Sequence, residues 1–376
     1  MKKILFLSGT RADFGKIKSL IQVCSDDPNF EVHIFATGMH MHKQYGETVI
    51  EIEKCGFKNI YKFINHTSET SMDLTLAKTI DGLSSYVKEN RPDLIIVHGD
   101  RVEALAGAIV GALNNILVGH IEGGEVSGTI DELIRHSVSK LSHIHFVSNE
   151  LAKSRLIQMG ELESQVYVIG SPDIDIMFSN SLPSLEVALG YYGIPFDRFA
   201  VLMFHPVTTE VDQIEQYSRL LVDALLDDSS NYIVIFPNND MGSSKILQAY
   251  KSFEGHPRFK VFPSLRFEYF LSILKHAEFI IGNSSAGIRE APYYGIPSIN
   301  IGSRQQNRAL DPSIIHADFS RESLKSAINQ AKTSGRTSPG RQFGSGNSYT
   351  LFHSIISQDE FWQIEHQKLF NDLSKN

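Results

Sequence analysis

The sequence has little of what marks a secreted, membrane-bound or nucleic-acid-binding protein. Its 376 residues include two cysteines, Cys24 and Cys55, too few for a disulfide framework, which excludes the small stapled folds of oxidising compartments. No apolar run approaches the ~20 residues needed to span a bilayer. Charged residues make up 21% of the chain, with a formal net charge of -8 and no block of one sign, so neither a nucleic-acid nor a membrane partner is expected. The opening Met1-Lys2-Lys3-Ile4-Leu5-Phe6-Leu7-Ser8-Gly9 sets two lysines before an apolar run. That run is too short for a secretion signal and ends in a polar turn, so it reads as a first β-strand. The expectation is a protein of the reducing cytoplasm.

What the chain does have is a rhythm. Apolar runs of strand length at Ile4 to Leu7, Val32 to Phe35, Leu94 to Val97, Ile116 to Gly119, Ile144 to Val147 and Val166 to Ile169 alternate with amphipathic stretches of helical period. Continuous apolar strands separated by helices predict a parallel sheet covered on both faces. One helix is predicted over Met72 to Lys88, with Ser71 as N-cap and Arg91-Pro92 as stop, and another over Arg101 to Leu113, with a small-residue face. Ser171 to Pro195 carries three prolines and reads as the connection to a second domain, which the length also suits. Strands then resume at Phe199 to Phe204, Tyr232 to Phe236, Phe259 to Phe262, Phe279 to Ile281 and Ser298 to Ile301. Thr333 to Tyr349, rich in Gly, Ser and Arg, reads as a mobile loop. Glu360 to Leu373 reads as a last helix, with Phe361, Ile364, Leu369 and Leu373 near helical spacing.

In open parallel sheets, ligands bind beyond the carboxyl ends of the strands, so polar residues just after strands are the candidates. The first strand runs into Gly9-Thr10-Arg11-Ala12-Asp13-Phe14-Gly15-Lys16, a small-residue turn opening a helix, where amides and Arg11 suit a phosphate. It matches neither the dinucleotide fingerprint nor the triphosphate loop. Another strand ends in Val97-His98-Gly99-Asp100-Arg101. A helix cap accounts for Asp100 but not for its neighbours. His120-Ile121-Glu122-Gly123-Gly124 closes the next strand, and Thr129-Ile130-Asp131 opens a helix that continues through Arg135-His136. Asp131 there complements the helix dipole, whatever else it does. Each acid alone suits a structural role, but three at successive strand ends on one sheet edge can be driven to different pKa values and supply both a base and an acid.

In the second half, Phe204-His205-Pro206 puts a histidine at a strand end, as a general acid/base or a hydrogen-bond partner. Ile281-Gly282-Asn283-Ser284-Ser285, with Glu290 farther along, combines amides and hydroxyls for a diphosphate with a carboxylate for ribose hydroxyls. His40-Met41-His42 and His143-Ile144-His145 lack the Cys/Asp companions of a tetrahedral site and predict no metal.

Together these tracts resemble the hydrolysing UDP-N-acetylglucosamine 2-epimerases of bacterial sialic acid synthesis, relatives of the epimerase half of the human bifunctional epimerase/kinase. Phe204-His205-Pro206-Val207-Thr208-Thr209, Gly282-Asn283-Ser284-Ser285 and Gly302-Ser303-Arg304-Gln305 join the earlier tracts in the family's order. The resemblance implies two Rossmann-like α/β domains of glycosyltransferase-B type with a cleft between them. Residues 1-180 would carry the sugar pocket and most acid/base groups, 181-355 would bind UDP, and 356-376 would form a helix packing back on the first domain. It also implies the reaction of UDP-N-acetylglucosamine with water to give N-acetylmannosamine and UDP. The C2 proton and UDP leave to give a 2-acetamidoglucal, which is then hydrated with protonation of C2 from the opposite face. No cofactor or metal is implied, and family members are commonly homodimers or homotetramers.

Carried over residue by residue, Asp100, Glu122, Asp131 and His205 are the acid/base candidates. Arg11, Arg101, Asn238, Leu265, Ser284, Ser285, Glu290 and Arg304 correspond to the UDP site, and Gly15, His40, His98, His120, Arg135, His136 and His143 to the sugar pocket. The non-hydrolysing 2-epimerases have Pro-Glu after the arginine, where this chain has Ala12-Asp13. A hydrolysing enzyme for UDP-N,N'-diacetylbacillosamine is an alternative that no residue excludes. A glycosyltransferase of the same fold would have little use for three acids and a histidine around the sugar C2.

Overall fold

The computed structural model describes residues 1–66, 70–127, 129–179, 182–305 and 311–372. The chain divides into two compact units, one comprising Met1–Glu125, Asp131–Ser179 and Gln342–Asn376, the other Val126–Ile130 and Asn180–Arg341. Each has its own wholly parallel sheet.

In the first unit the strands are β1 (Lys2–Ser8), β2 (Phe30–Ala36), β3 (Asn59–Lys62), β4 (Leu94–His98), β5 (Leu117–Ile121), β6 (Ile144–Val147) and β7 (Val166–Val168), in the order β3-β2-β1-β4-β5-β6-β7. The intervening helices are α1 (Arg11–Ser25), α2 (Val49–Lys54), α3 (Met72–Asn90), α4 (Val102–Leu113), α5 (Ile130–Leu141), α6 (Glu150–Gln158) and α7 (Pro172–Met177). In the second unit, β8 (Ala200–Met203), β9 (Tyr232–Ile235), β10 (Phe259–Phe262), β11 (Ile280–Gly282), β12 (Ser298–Ile301) and β13 (Ile314–Ala317) lie in the order β10-β9-β8-β11-β12-β13. Around them are α8 (Leu185–Tyr192), α9 (Ile214–Asp227), α10 (Ser243–Tyr250), α11 (Phe267–His276), α12 (Glu290–Tyr293) and α13 (Arg321–Ser334). The order reverses between β1 and β4 in one sheet and between β8 and β11 in the other, which creates a binding crevice at the carboxyl edge of each.

The central strands are apolar on both faces because both faces are covered: Ile4, Phe6, Leu94, Ile96 and Phe146 are at most 1% exposed in the first unit, as are Leu202, Val234, Ile281 and Ile299 in the second. Two strands have no counterpart in the predicted set. Both β3 and β13 are sheet edges, and exposed polar side chains, Asn59 and Lys62 in one and His316 in the other, break the continuous apolar run that betrays a central strand.

Other local expectations change. Ser71 precedes α3 but its side chain makes no capping bond to the helix amides. The stretch read as a connection contains α7, which packs on α1. Pro172 is the first residue of that helix, where a missing N–H costs nothing. Residues 335–347 carry no regular element, but α13 extends into the predicted loop from one side, and a last helix, α14 (Ser348–Ile356), from the other. The chain therefore returns to the first unit as a helix earlier than the pattern suggests. Beyond it, Asp359–Gln363 form a 3₁₀ turn, 364–372 are irregular, and Leu373 lies outside the described residues. Phe352 and Ile356 of α14 are fully buried, with the Phe352 ring 4.8 Å from that of Phe146. At roughly 1.5–3 kcal/mol for each such side chain, α14 is part of the first unit's core.

Gly282 ends β11 at φ 136°, and a Cβ there would lie 1.9 Å from the Met203 carbonyl oxygen of the adjacent strand. Gly282→Ala is expected to cost roughly 2–4 kcal/mol, read as a lower urea midpoint. Gly190→Ala in α8, where a Cβ meets nothing within 4 Å, provides the control and should not lower it.

Candidate active site

The carboxyl edge of the first sheet carries a connected set of charged side chains. Thr10 caps α1 by accepting from the Asp13 N–H at 3.0 Å. This turns the Asp13 carboxylate back over the end of β1, where it accepts from Ser8 Oγ at 2.9 Å and Gly9 N–H at 3.0 Å. Its other oxygen lies 2.7 Å from Nδ1 of His98, the last residue of β4. His98 Nε2 in turn lies 3.3 Å from the Glu122 carboxylate, beyond β5.

Glu122 has φ 65°, a left-handed conformation that a non-glycine residue adopts only under constraint. Here the constraint is visible. Arg135 of α5 donates to the Glu122 carbonyl at 2.8 Å, and Ser171 Oγ to its carboxylate at 3.3 Å. Arg135 Nη1 and Lys16 Nζ each lie 3.8 Å from Glu122 carboxylate oxygens, and Lys16 is 3.4 Å from Asp173. Arg135 also holds the Asp100 carboxylate in an ion pair.

The pKa values follow from this arrangement. Burial alone would lower that of His98, but the Glu122 charge, bonds from Asp13 and Glu122, and the Asp13 charge raise it to about 9. In this group three cations, Lys16, His98 and Arg135, face four carboxylates, Asp13, Asp100, Glu122 and Asp173. Glu122 thus sits among Lys16, His98 and Arg135.

The sequence puts Asp100 in N-cap position for the following helix. The structure instead makes Arg101 the N-cap residue of α4, and the Asp100 side chain goes to Arg135. Asp131 stands in the first turn of α5, one turn before Arg135. Arg11 opens α1 and is 4.0 Å from Glu51, while Arg101 Nε donates to Glu103 at 3.2 Å. Gly15 is buried in the first turns of α1.

The histidines carried over to the sugar pocket differ in their surroundings. His40 and His120 are fully buried. His40 contacts Ser8 Oγ at 3.0 Å and Thr48 Oγ1 at 2.8 Å, and burial pushes its pKa down to about 4. His120 contacts the Gly99 carbonyl at 2.9 Å and Ser139 Oγ at 3.0 Å, and burial pushes it to about 3. Both rings are thus enclosed by protein groups. His143 precedes β6, at the opposite end of the sheet, where it contacts the backbone of Val118 and His366. Parallel strands put the start of β6 far from the ends of β4 and β5. His136 is half-buried on α5, 3.5 Å from Glu132.

In the second unit, β8 ends before His205. Its N–H and C=O are bonded by the Asn283 side chain at 2.7 and 2.9 Å, and its Nδ1 accepts from the Asn238 N–H at 3.0 Å. The proton of the neutral ring is therefore on Nε2. Asn283 follows β11, and its carbonyl accepts from Arg304 and Gln305, each at 3.2 Å. Ser284 caps a 3₁₀ turn over Ser285–Gly287, ahead of the short α12, where Glu290 is buried. Leu265 is also buried, before α11. The structure thus joins His205, Asn238, Asn283 and Arg304 in one bonded group, with Ser284 and Ser285 next in sequence.

Asp13, Lys16, Asp173 and Asn283 also belong to these groups, beyond the residues the sequence points to. Asp13 and Lys16 stood in a recognised turn. Asp173 was hidden by a proline-rich stretch taken for a linker.

Two Rossmann-like units, each with polar groups on the carboxyl edge of a parallel sheet, define the glycosyltransferase-B class of fold. In keeping with it, the UDP-GlcNAc 2-epimerase of Methanocaldococcus jannaschii in complex with UDP-GlcNAc and UDP superposes with a TM-score of 0.81 at 22% identity, covering 95% of this chain and 99% of that one. The profile of the UDP-N-acetylglucosamine 2-epimerase family matches residues 22–357. The chain is 48% identical to the UDP-N-acetylglucosamine 2-epimerase of Neisseria meningitidis serogroup B over the whole of both chains. It is 32% identical to the UDP-N,N'-diacetylbacillosamine 2-epimerase (hydrolyzing) of Legionella pneumophila, covering 95% of this chain and 96% of that one. The chain belongs to the UDP-N-acetylglucosamine 2-epimerase family.

Proposed function

We propose that the protein is a hydrolysing UDP-N-acetylglucosamine 2-epimerase, releasing N-acetylmannosamine and UDP from UDP-N-acetylglucosamine and water. The observation that carries this reading is the buried, ion-paired Glu122, held with Asp100 by Arg135 and backed by the protonated His98. A carboxylate placed among cations suits removal of a weakly acidic C2 proton, and those cations suit the charge that develops as the diphosphate leaves. Asp100 and Glu122 are assigned as acceptors. Asp131 and His205, whose Nε2 carries the ring proton, are the further acid/base candidates, since proton transfers on two faces of C2 require at least two groups.

One observation supports hydrolysis and a second supports this substrate. Ala12-Asp13 stands where the non-hydrolysing enzymes have Pro-Glu, and the Asp13 carboxylate is the group that orients His98. Identity to the Neisseria relative exceeds that to the Legionella one, 48% against 32%.

The test is incubation with UDP-N-acetylglucosamine and, separately, UDP-N,N'-diacetylbacillosamine in heavy water, with products read by NMR. The expected product is free N-acetylmannosamine with deuterium at C2, formed from the first substrate. UDP-N-acetylmannosamine as product would reassign the enzyme to the non-hydrolysing type, turnover of only the second substrate would change the sugar, and a product without deuterium would end the elimination mechanism.

A further inference from the structure

Helix α5 presents Asp131, Arg135 and Ser139 one turn apart on one face. Arg135 holds Asp100 and the Glu122 carbonyl. Ser139 Oγ contacts His120 Nδ1 at 3.0 Å, and His120 Nε2 donates to the Gly99 carbonyl at 2.9 Å. The Gly99 N–H donates to the Ile121 carbonyl at 3.0 Å, so the turn before Asp100 is gripped on both sides. One support of that grip is α5.

The other end of α5 is held by the irregular C-terminal tail. Lys368 Nζ donates to the carbonyls of Ser139 at 3.2 Å, Lys140 at 3.0 Å and Ser142 at 2.7 Å. It is also ion-paired with Glu161, whose side chain is 1% exposed and receives Lys140 and His145, each at 2.9 Å. An ammonium group on the last carbonyls of a helix satisfies acceptors that have no partner within the helix and opposes the negative end of its dipole. His145 is the register partner of His120, so this buried charge cluster adjoins the histidine that holds Gly99.

We infer that Lys368 is a positioning residue: by gripping the carboxyl end of α5 and the buried Glu161, it fixes where α5 places Asp131, Arg135 and the Gly99–Asp100 turn. The inference rests on the 2-epimerase reading for its effect on turnover, but not for its effect on the turn. A misplacement of about 1 Å costs about 10²-fold in rate.

The experiment compares Lys368→Met, Lys368→Arg and Phe370→Ala, the last in the exposed tail two residues on, by kcat, KM and amide hydrogen exchange. Lys368→Met is expected to lower kcat by about 10- to 100-fold with KM changed less than about threefold, and to speed exchange at Gly99–Asp100 and along α5. Lys368→Arg recovers most of both, and Phe370→Ala changes neither. Should Lys368→Met not fold, Glu161→Gln is the milder variant and gives the same pattern. Wild-type kcat and exchange in Lys368→Met, or exchange rising evenly over the whole first unit, would overturn the inference. Exchange needs no substrate: localised loosening in a protein that releases no N-acetylmannosamine would keep the coupling and remove the reaction.

Discussion

Glu122→Gln lowers turnover of UDP-N-acetylglucosamine by about 10²- to 10⁴-fold, the range for loss of a positioned acid/base group, while KM changes less than about threefold. The substitution keeps the size of the side chain and the bonds to Ser171 and the Arg135-held backbone, and removes the charge. Its second effect is on His98. Burial pulls the imidazole pKa down, and the Glu122 charge with the Asp13 and Glu122 bonds lifts it from the ordinary 6.5 to about 9. Without the carboxylate charge, His98 titrates well below 9. A histidine with a raised folded pKa contributes stability that is fully present below its unfolded value and lost as pH rises through the folded one. The wild-type protein should thus lose up to about 3 kcal/mol between pH 6.5 and 9 from this group, and the variant less. Imidazole NMR and urea midpoints at pH 6 and pH 9 read the second effect, and steady-state kinetics the first. Turnover within threefold of wild type, with unchanged His98 titration, would remove Glu122 from the role assigned to it.

Arg135→Met is expected to have the second largest effect, on stability and rate together. The arginine is fully buried and holds Asp100 through one nitrogen and Glu122 through another. Its removal takes a buried cation from two carboxylates, and breaking such a buried pair costs about 3–5 kcal/mol. The freed Glu122 backbone has less reason to keep φ at 65°, so kcat should fall by about 10²-fold or more even at temperatures where the variant remains folded. Arg135→Lys should recover little, because an ammonium group lacks the planar fork that reaches both acids. A variant as stable as wild type, or one whose rate loss matches only its unfolded fraction, would show that Arg135 does not organise the acids.

Much of the first unit was legible in the sequence because its central strands are covered on both faces and so are written as unbroken apolar runs, with polar turns where they stop. The tracts ending in His98-Gly99-Asp100 and in Glu122-Gly123-Gly124 stand at the carboxyl edge for that reason. The edge strands β3 and β13 were not legible, since half-exposed strands carry no such run, and Pro172 read as a break although it starts α7. That misreading hid Asp173, whose contact with Lys16 bridges elements more than 150 positions apart in the chain.

For His98-Gly99-Asp100 and its companions, the sequence by itself determined which strand end each residue occupies, because hydrophobic periodicity is a local property. Only the tertiary structure decided what each side chain does there. Asp100 bonds Arg135 instead of capping α4, His120 turns inward to the Gly99 carbonyl, and His143 lies at the far end of the sheet. A carboxylate or an imidazole takes its charge and its partner from whatever the fold brings within a few ångströms of it, and those neighbours come from helices distant in sequence.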